Sequence, residues 1–270
     1  MPELPEVETI ARGLAKAVVG KTIATVDILR PDLVASDPLQ FAADLAGDRI
    51  AGVGRRGKFV VLSLTSRRRL VVHLRMTGRL IVRAAEATEH VPYTGVELRF
   101  VDGTRLAFAD VRRFGRMRLI ERGDVWPQLL GVEPLSDEFT FAHFSSLVAG
   151  RTTPIKSLLL DQRRIAGIGN IYACEALWEA RVRPARAGRS LSKPARGRLR
   201  DAIRSVLSRA VELRGSSIDD YVDADGLRGG FQNVLSVYGR TGLPCAACGG
   251  PIVRTVLAQR GTWWCRRCQR

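Results

Sequence analysis

No apolar run in the 270-residue sequence approaches the ~18–20 residues that a membrane-spanning helix needs. The opening MPELPEVETI carries acid where a secretory leader carries base, and no apolar segment follows it. The expectation is a soluble, cytoplasmic chain with no membrane association. No internal repeat is visible, which argues against a solenoid or propeller. Lysine is nearly missing: Lys16, Lys21, Lys58, Lys156 and Lys193 are the only ones among 43 basic residues, and the others are arginine. Acid is in deficit too, at 27 residues, leaving a net charge of +16. A codon preference explains arginine in place of lysine but not an excess of positive charge. A polyanionic partner does, and nucleic acid comes ahead of an acidic membrane because a guanidinium pairs bidentately with phosphate.

What is present reads as an α+β protein of two domains. Val7, Ile10, Ala11, Leu14 and Val18 recur at helical spacing, and Gly20 ends the run. The pattern then changes to TIATVDIL, GKFVVLSL, RLVVHLRM and GVELRFVDGTRLAFADV, short segments rich in β-branched residues. In the last, Val96, Leu98 and Phe100 alternate, Asp102-Gly103 marks a hairpin turn, and Leu106 and Phe108 resume the alternation. Residues 1–130 are expected to form an antiparallel β-sandwich with one leading helix, and GVEPLSDEF (131–139) a linker. Residues 140–239 read as helical. Phe141, Phe144, Leu147 and Val148 share one face, Pro154 opens a second helix, and a glycine turn precedes NIYACEALWEA. Ser192 is placed to cap a long helix with Leu199, Ile203, Val206, Leu207 and Ala210 inside. GSSIDDYVDADGLRGGFQN (215–233) has four glycines, four aspartates and no periodicity, and reads as a mobile loop. Residues 240–270 are too few to build a core of their own.

Cysteine is scarce, with five in all. Cys174 stands alone and reads as a small buried filler. Cys245 and Cys248, and again Cys265 and Cys268, form C-x-x-C pairs. Four thiolates suit tetrahedral Zn²⁺, and the metal supplies folding free energy that so short a hairpin lacks. Two disulfides are disfavoured in a reducing compartment. A four-sulfur site has no open position, so the zinc is expected to be structural and not catalytic. GGPIVRTVLAQRGTWW reads as two strands with a turn near 259–262, decorated by Arg254, Arg260, Arg266 and Arg267, which can reach phosphates. A zinc-stapled module that binds only protein is the alternative.

PELPEVET, GKF, HLRMTGRL, DVRRFG, AGIGNIYACEALW, VYGR and CAAC…QRGTWWCRRC occur in that order. Together they resemble the bacterial formamidopyrimidine-DNA glycosylases, which remove 8-oxoguanine and ring-opened purines, and the resemblance runs from residue 2 to 268. It implies a sandwich domain, a helix–two-turns–helix domain and a zinc-ribbon hairpin, with damaged double-stranded DNA as partner and a monomeric state. It implies loss of Met1, leaving Pro2 with a free secondary amine that attacks the sugar C1′, forms a Schiff base and drives β- and then δ-elimination. A terminal amine titrates near ~7.7–8.0 and lysine near ~10.4, so far more of the former is neutral at pH 7. Glu3 would be the general acid/base. Glu6 would set the helix start and the lesion-bearing sugar, and Lys58 would contact the reacting nucleotide.

The resemblance further places Met76, Arg112 and Phe114 as the trio that fills the hole left by an everted base. Taken singly, methionine and phenylalanine are more often core, but their arginine-flanked loops argue for exposure. Lys156, Asn170, Tyr238 and Arg260 match phosphate contacts, and Gly167 and Gly169 would let a phosphate approach the backbone. Ser217 and Tyr221 fall in the loop that would close over the purine. Arg75, Val111 and Gly230 stand where glycine, proline and tyrosine are usual, and the stretch around His90 also diverges. An endonuclease VIII-like enzyme for oxidised pyrimidines and a non-catalytic zinc-ribbon DNA-binding protein are the competing readings. The PELPEV start and the complete trio favour the first.

Overall fold

The helical spacing of apolar residues in the N-terminal segment produces α1 (Leu4–Val18), whose Leu4, Val7, Ile10, Leu14 and Val18 are buried and whose Pro5 sits in the first turn. The structure is a computed structural model that describes residues 1–126, 129–217 and 229–270. The chain divides into two units, Met1–Gln128 with Leu213–Gly230, and Leu129–Glu212 with Phe231–Arg270.

In the first unit α1 is followed by β1 (Ile23–Ile28), α2 (Pro38–Leu45), β2 (Ile50–Arg56), β3 (Phe59–Leu64), β4 (Arg69–His73), β5 (Gly78–Arg83), β6 (Thr94–Phe100), β7 (Arg105–Asp110) and β8 (Arg116–Ile120). They build two four-stranded sheets, ordered β1-β6-β7-β5 and β2-β3-β4-β8, and every pairing is antiparallel. Residues from α1 and both sheets, including Ile10, Leu14, Leu62, Val72, Leu98, Phe108 and Met117, share one core. The β6–β7 turn is where Asp102-Gly103 placed it, with Gly103 at φ +84°. The second helix, α2, was not expected. Its signal was present, since the Asp37 carboxylate accepts the Gln40 N–H at 2.9 Å and Pro38 follows. With only Phe41 and Leu45 buried over eight residues, its periodicity is too short to read.

The second unit contains α3 (Phe141–Val148), α4 (Ile155–Leu160), α5 (Asn170–Glu179), α6 (Lys193–Glu212) and a hairpin of β9 (Ile252–Leu257) and β10 (Arg260–Cys265). The long helix buries Leu199, Ile203, Val206, Leu207 and Ala210 along one stripe, and Ser192 Oγ accepts the Ala195 N–H at its start. Residues 131–139, read from sequence as a linker, are fastened into this unit. The Gly131 N–H donates to Gln162 O at 2.9 Å, Val132 bridges Ile165, and Phe139 is fully buried with its ring 5.5 Å from Phe144. The β9–β10 turn lies at Ala258-Gln259, with both residues at positive φ, so that 260–262, expected within the turn, already belong to β10. A two-residue turn of this kind normally signals itself with Asn-Gly, and Ala-Gln carries no such mark. Of the stretch expected as a mobile loop, Phe231 is buried in a 3-10 turn beside Tyr172, while Tyr221 lies outside the described residues. Among the described residues no helix is long and apolar enough to cross a membrane.

Phe139→Ala is expected to cost about 3–5 kcal/mol, the loss for a buried phenylalanine. Chemical denaturation followed by tryptophan fluorescence measures it, and a true linker would lose almost nothing.

Candidate active site and nucleic-acid interface

The first turn of α1 is held by a carboxylate. Glu6 is buried; its Oε2 accepts the Glu3 N–H at 2.8 Å and its Oε1 accepts the Ser216 N–H at 2.7 Å. Glycine is needed opposite: Gly215 has φ +75°, and a Cβ there would lie 2.6 Å from Glu6 Oε1. Glu6 therefore fixes both the helix start and the segment at 215–216. Pro2 and Glu3 are buried beside it. Glu8, two residues on, receives Arg55 Nε at 2.9 Å and Arg12 Nε at 2.8 Å. Burial alone would raise the Glu8 pKa, but the two guanidiniums outweigh it and hold it below the usual carboxylate range.

Arg55 also donates to Gly57 O at 3.1 Å, which brings the β2–β3 turn to this end of α1. Arg56 pairs with Phe59, so Gly57-Lys58 is a two-residue turn. Gly57 takes φ +55° at its first position, as a type II′ turn requires. Lys58 is at the apex yet only 8% exposed, which rules out a solvated strand end. Its neighbour across β3 and β4 is His73, which the sequence reading overlooked. Burial first, then the Arg75 and Lys58 charges, pull the His73 pKa down to about 4. The neutral ring accepts the Arg75 N–H on Nδ1 at 3.0 Å, so its proton resides on Nε2 as a donor.

Met76, Arg112 and Phe114 are brought to one end of a sheet by a second buried carboxylate. Asp110 accepts the Thr77 hydroxyl, the Arg112 N–H at 3.2 Å and the Gly115 N–H at 2.6 Å. It thus ties the loop before β5 to the loop after β7. Phe114 is 50% exposed and Met76 38%, so neither is core, and the Arg112 guanidinium lies 4.8 Å over the Phe114 ring. Arg75, where glycine is usual, takes φ +54°, a conformation that costs an L-residue about 1–2 kcal/mol.

In the second unit Asn170 opens α5, with Gly169 before it as the capping residue. Its Nδ2 donates to Gly261 O at 3.0 Å, beside the exposed Arg260. Lys156 differs from its expected role. It is 1% exposed and donates to Gly261 O at 2.9 Å and Thr262 Oγ1 at 2.7 Å. Its ammonium joins α4 to the hairpin and is not presented to an outside phosphate. Sequence reading also missed Glu175, a buried side chain whose oxygens accept the N–H groups of Ser236, Val237 and Tyr238 at 2.8–2.9 Å. Burial raises its pKa against those three donors. It sets Tyr238, whose ring lies 4.4 Å from Trp263. Burial pushes the Cys174 thiol up to about 11, which makes it an inert filler.

The Sγ atoms of Cys245, Cys248, Cys265 and Cys268 all lie within 4.8 Å of one another. Cys245–Cys268 and Cys248–Cys265 are 3.9 and 3.4 Å apart, and zinc–sulfur bonds of about 2.3 Å give a tetrahedral edge of about 3.8 Å. The residues fit one structural Zn²⁺. The Trp178 indole N–H donates to Cys245 Sγ at 3.3 Å, which joins the metal site to α5.

Comparison with known proteins matches three family models along the chain. The formamidopyrimidine-DNA glycosylase N-terminal domain covers residues 1–117, the H2TH domain of the same enzymes 130–222, and a zinc finger found in FPG and IleRS 242–270. A formamidopyrimidine-DNA glycosylase of Enterococcus faecalis is 46% identical over all of this chain and 97% of its own length. The crystal structure of the MutM (FPG) protein of Thermus thermophilus superposes with a TM-score of 0.89 at 46% identity, covering 99% of this chain and 98% of that one. A mutant of the Lactococcus lactis FPG in complex with Fapy-dG-containing DNA superposes with a TM-score of 0.93 at 37% identity, covering all of both chains.

Two measurements test the site. His73 has a folded pKa of about 4 against an ordinary 6.5, so its imidazole NMR shifts should stay flat from pH 8 to about 5. The unfolded chain takes up that proton first, so this contribution to stability is full above about pH 6.5 and is lost as pH falls toward 4. Lys156→Ala should release zinc faster to a competing chelator while leaving the salt dependence of DNA binding unchanged. A fall of about 0.9 in the log–log salt slope would restore the phosphate contact.

Proposed function

Since the chain belongs to the formamidopyrimidine-DNA glycosylase family, we infer that it is a base-excision-repair enzyme that excises oxidised purines, 8-oxoguanine and formamidopyrimidines, from duplex DNA and then cleaves the abasic site as a lyase. The observation that carries this reading is the burial of Glu3, Glu6 and Lys58 at and beside the start of α1. Ionisable groups withheld from water in this way cluster at reacting centres.

Pro2, freed of Met1, is the nucleophile. Its nitrogen bonds to the sugar C1′ as the C1′–base bond breaks and the purine departs with a proton. Glu3 protonates the ring oxygen, which opens the sugar. A secondary amine then has no second N–H to lose, so the product is a permanently charged iminium. That charge acidifies the C2′ proton; its removal expels the 3′ phosphate, and loss of a further proton expels the 5′ phosphate. Glu6 holds the turn that bears this amine, and Lys58 supplies positive charge to the reacting nucleotide. His73, through Nε2–H, is a further phosphate donor. Met76, Arg112 and Phe114 occupy the gap in the duplex, and their display from one sheet end supports this. Asn170, Tyr238 and Arg260 grip phosphates. Zinc, when bound, fixes the hairpin that carries Arg260 and takes no part in bond breaking.

In domain terms, 1–130 is the catalytic sandwich, 140–239 the helical DNA-binding region and 240–270 the zinc finger, with 131–139 between the first two. We place the enzyme in the cytoplasm, on the nucleoid, as a monomer.

Borohydride reduction during turnover of an 8-oxoguanine duplex should give a covalent adduct that peptide mass spectrometry locates at Pro2. Pro2→Gly should lower its yield by tenfold or more. An adduct on Lys58 instead would assign the chemistry to a different amine.

A further inference from the structure

Trp126 has no part in the reading above, and its packing needs explaining. In β3 the core-facing residues are Val60 and Leu62, and in β4 they are Leu70 and Val72. Side chains alternate along a strand, so Phe59, Arg69, Val71 and His73 stand on the opposite face of that sheet. That face is not left to water, since Val71 is only 3% exposed. Residues 124–126 lie over it. The Arg69 guanidinium donates to Asp124 O at 2.8 Å and to Trp126 O at 3.2 Å, which fastens the segment to the start of β4.

What the segment brings is a ring. Trp126 meets Phe59 with centroids 5.1 Å apart and planes at 87°. Phe59 in turn meets His73 at 4.6 Å and 86°. Perpendicular pairs of this kind are favoured because the positive edge of one ring meets the negative face of the next. Phe59 and His73 are cross-strand partners, so strand pairing alone brings them together. It does not call for the third ring. Two perpendicular contacts in series thus run from a segment outside the sheet to the imidazole across from Lys58.

The imidazole has an orientation to lose. Its Nδ1 accepts the Arg75 N–H at 3.0 Å, which leaves Nε2–H as the donor. The second side-chain torsion of histidine has no deep staggered well, so one hydrogen bond at one nitrogen leaves the ring plane free to rock. Phe59 removes that freedom, and Trp126 holds Phe59. The same rings contribute to the burial that comes first among the causes keeping His73 neutral. The charged groups around it are Arg75 two residues on, Lys58 in the β2–β3 turn and, opposite on β8, Arg116. A single N–H aimed at a phosphate binds best when its direction is set beforehand.

We propose that Trp126 is a positioning residue for the reaction: through Phe59 it fixes the plane of the His73 ring, and so the direction of the Nε2–H that meets a phosphate. The inference rests on the glycosylase reading. It is tested by binding to a duplex carrying a tetrahydrofuran abasic analogue opposite cytosine, alongside an undamaged duplex. Trp126→Ala should bind the abasic duplex about tenfold more weakly, the value of one hydrogen bond to a charged group. Trp126→Phe should bind as the parent does. In a His73→Ala background, Trp126→Ala should cost less than about twofold, since the two residues act as one unit. In the free protein, the His73 imidazole of Trp126→Ala should titrate nearer 6.5 than 4 by NMR. If Trp126→Ala does not fold, Trp126→Leu, which keeps apolar bulk without the perpendicular ring, replaces it in every arm. An equal loss in both backgrounds overturns the proposal, and so does a His73 titration that the substitution leaves unchanged. If the parent itself shows no preference for the abasic duplex, the glycosylase reading fails, and this inference with it.

Discussion

A buried carboxylate that gathers backbone N–H groups is the interaction on which this structure depends. Among the described residues the arrangement recurs four times: Asp48 holds Arg49 and Ser66, and three others lie nearer the candidate sites. Glu6 holds Glu3 and Ser216, Asp110 holds Arg112 and Gly115, and Glu175 holds Ser236, Val237 and Tyr238. A chain of net charge +16 has few acids to spare, and these are placed inside, where each closes a loop. An ionised carboxylate accepts several donors at once and binds them more strongly than a neutral oxygen does. Removing one would leave its backbone donors unpaired in the interior, which costs more than the bond itself.

The consequence is a division of labour by charge. Acids shape the backbone from within, and cations and apolar side chains are displayed outside. The Asp110 loop presents Arg112 and Phe114; the Glu175 segment presents Tyr238 against Trp263. Residues displayed in this way would lose little backbone freedom on meeting a duplex, because the fold already holds the segments that carry them. Lys156 breaks the pattern and shows why it matters: turned inward onto Gly261 and Thr262, a cation becomes a joint between helix and hairpin.

Much of this was legible in the sequence. The α1 stripe, the alternation through β6 and β7, the Ser192 cap and the paired cysteines are local patterns with local causes. The exposure of Met76 and Phe114 followed from their arginine-rich loops. What could not be read depended on partners distant in the chain. Glu175 gives no sign of the backbone it binds some sixty residues on, and His73 owes its low pKa first to burial in the folded chain, then to Arg75 nearby and to Lys58 in another turn. Lys156 looked like a surface lysine because its acceptors lie more than a hundred residues away. The linker assigned to 131–139 failed to show its anchoring because turn-forming residues mask Phe139.

Helix α5 carries Asn170 in its first turn and Trp178 near its last, and their side chains reach the hairpin at Gly261 O and the cysteine cluster at Cys245 Sγ. The cysteine cluster and the Gly261 carbonyl are therefore tied to a single rod about 12 Å long between those residues. Losing the metal would therefore slacken the far end of this rod, and with it the footing of the hairpin at the near end.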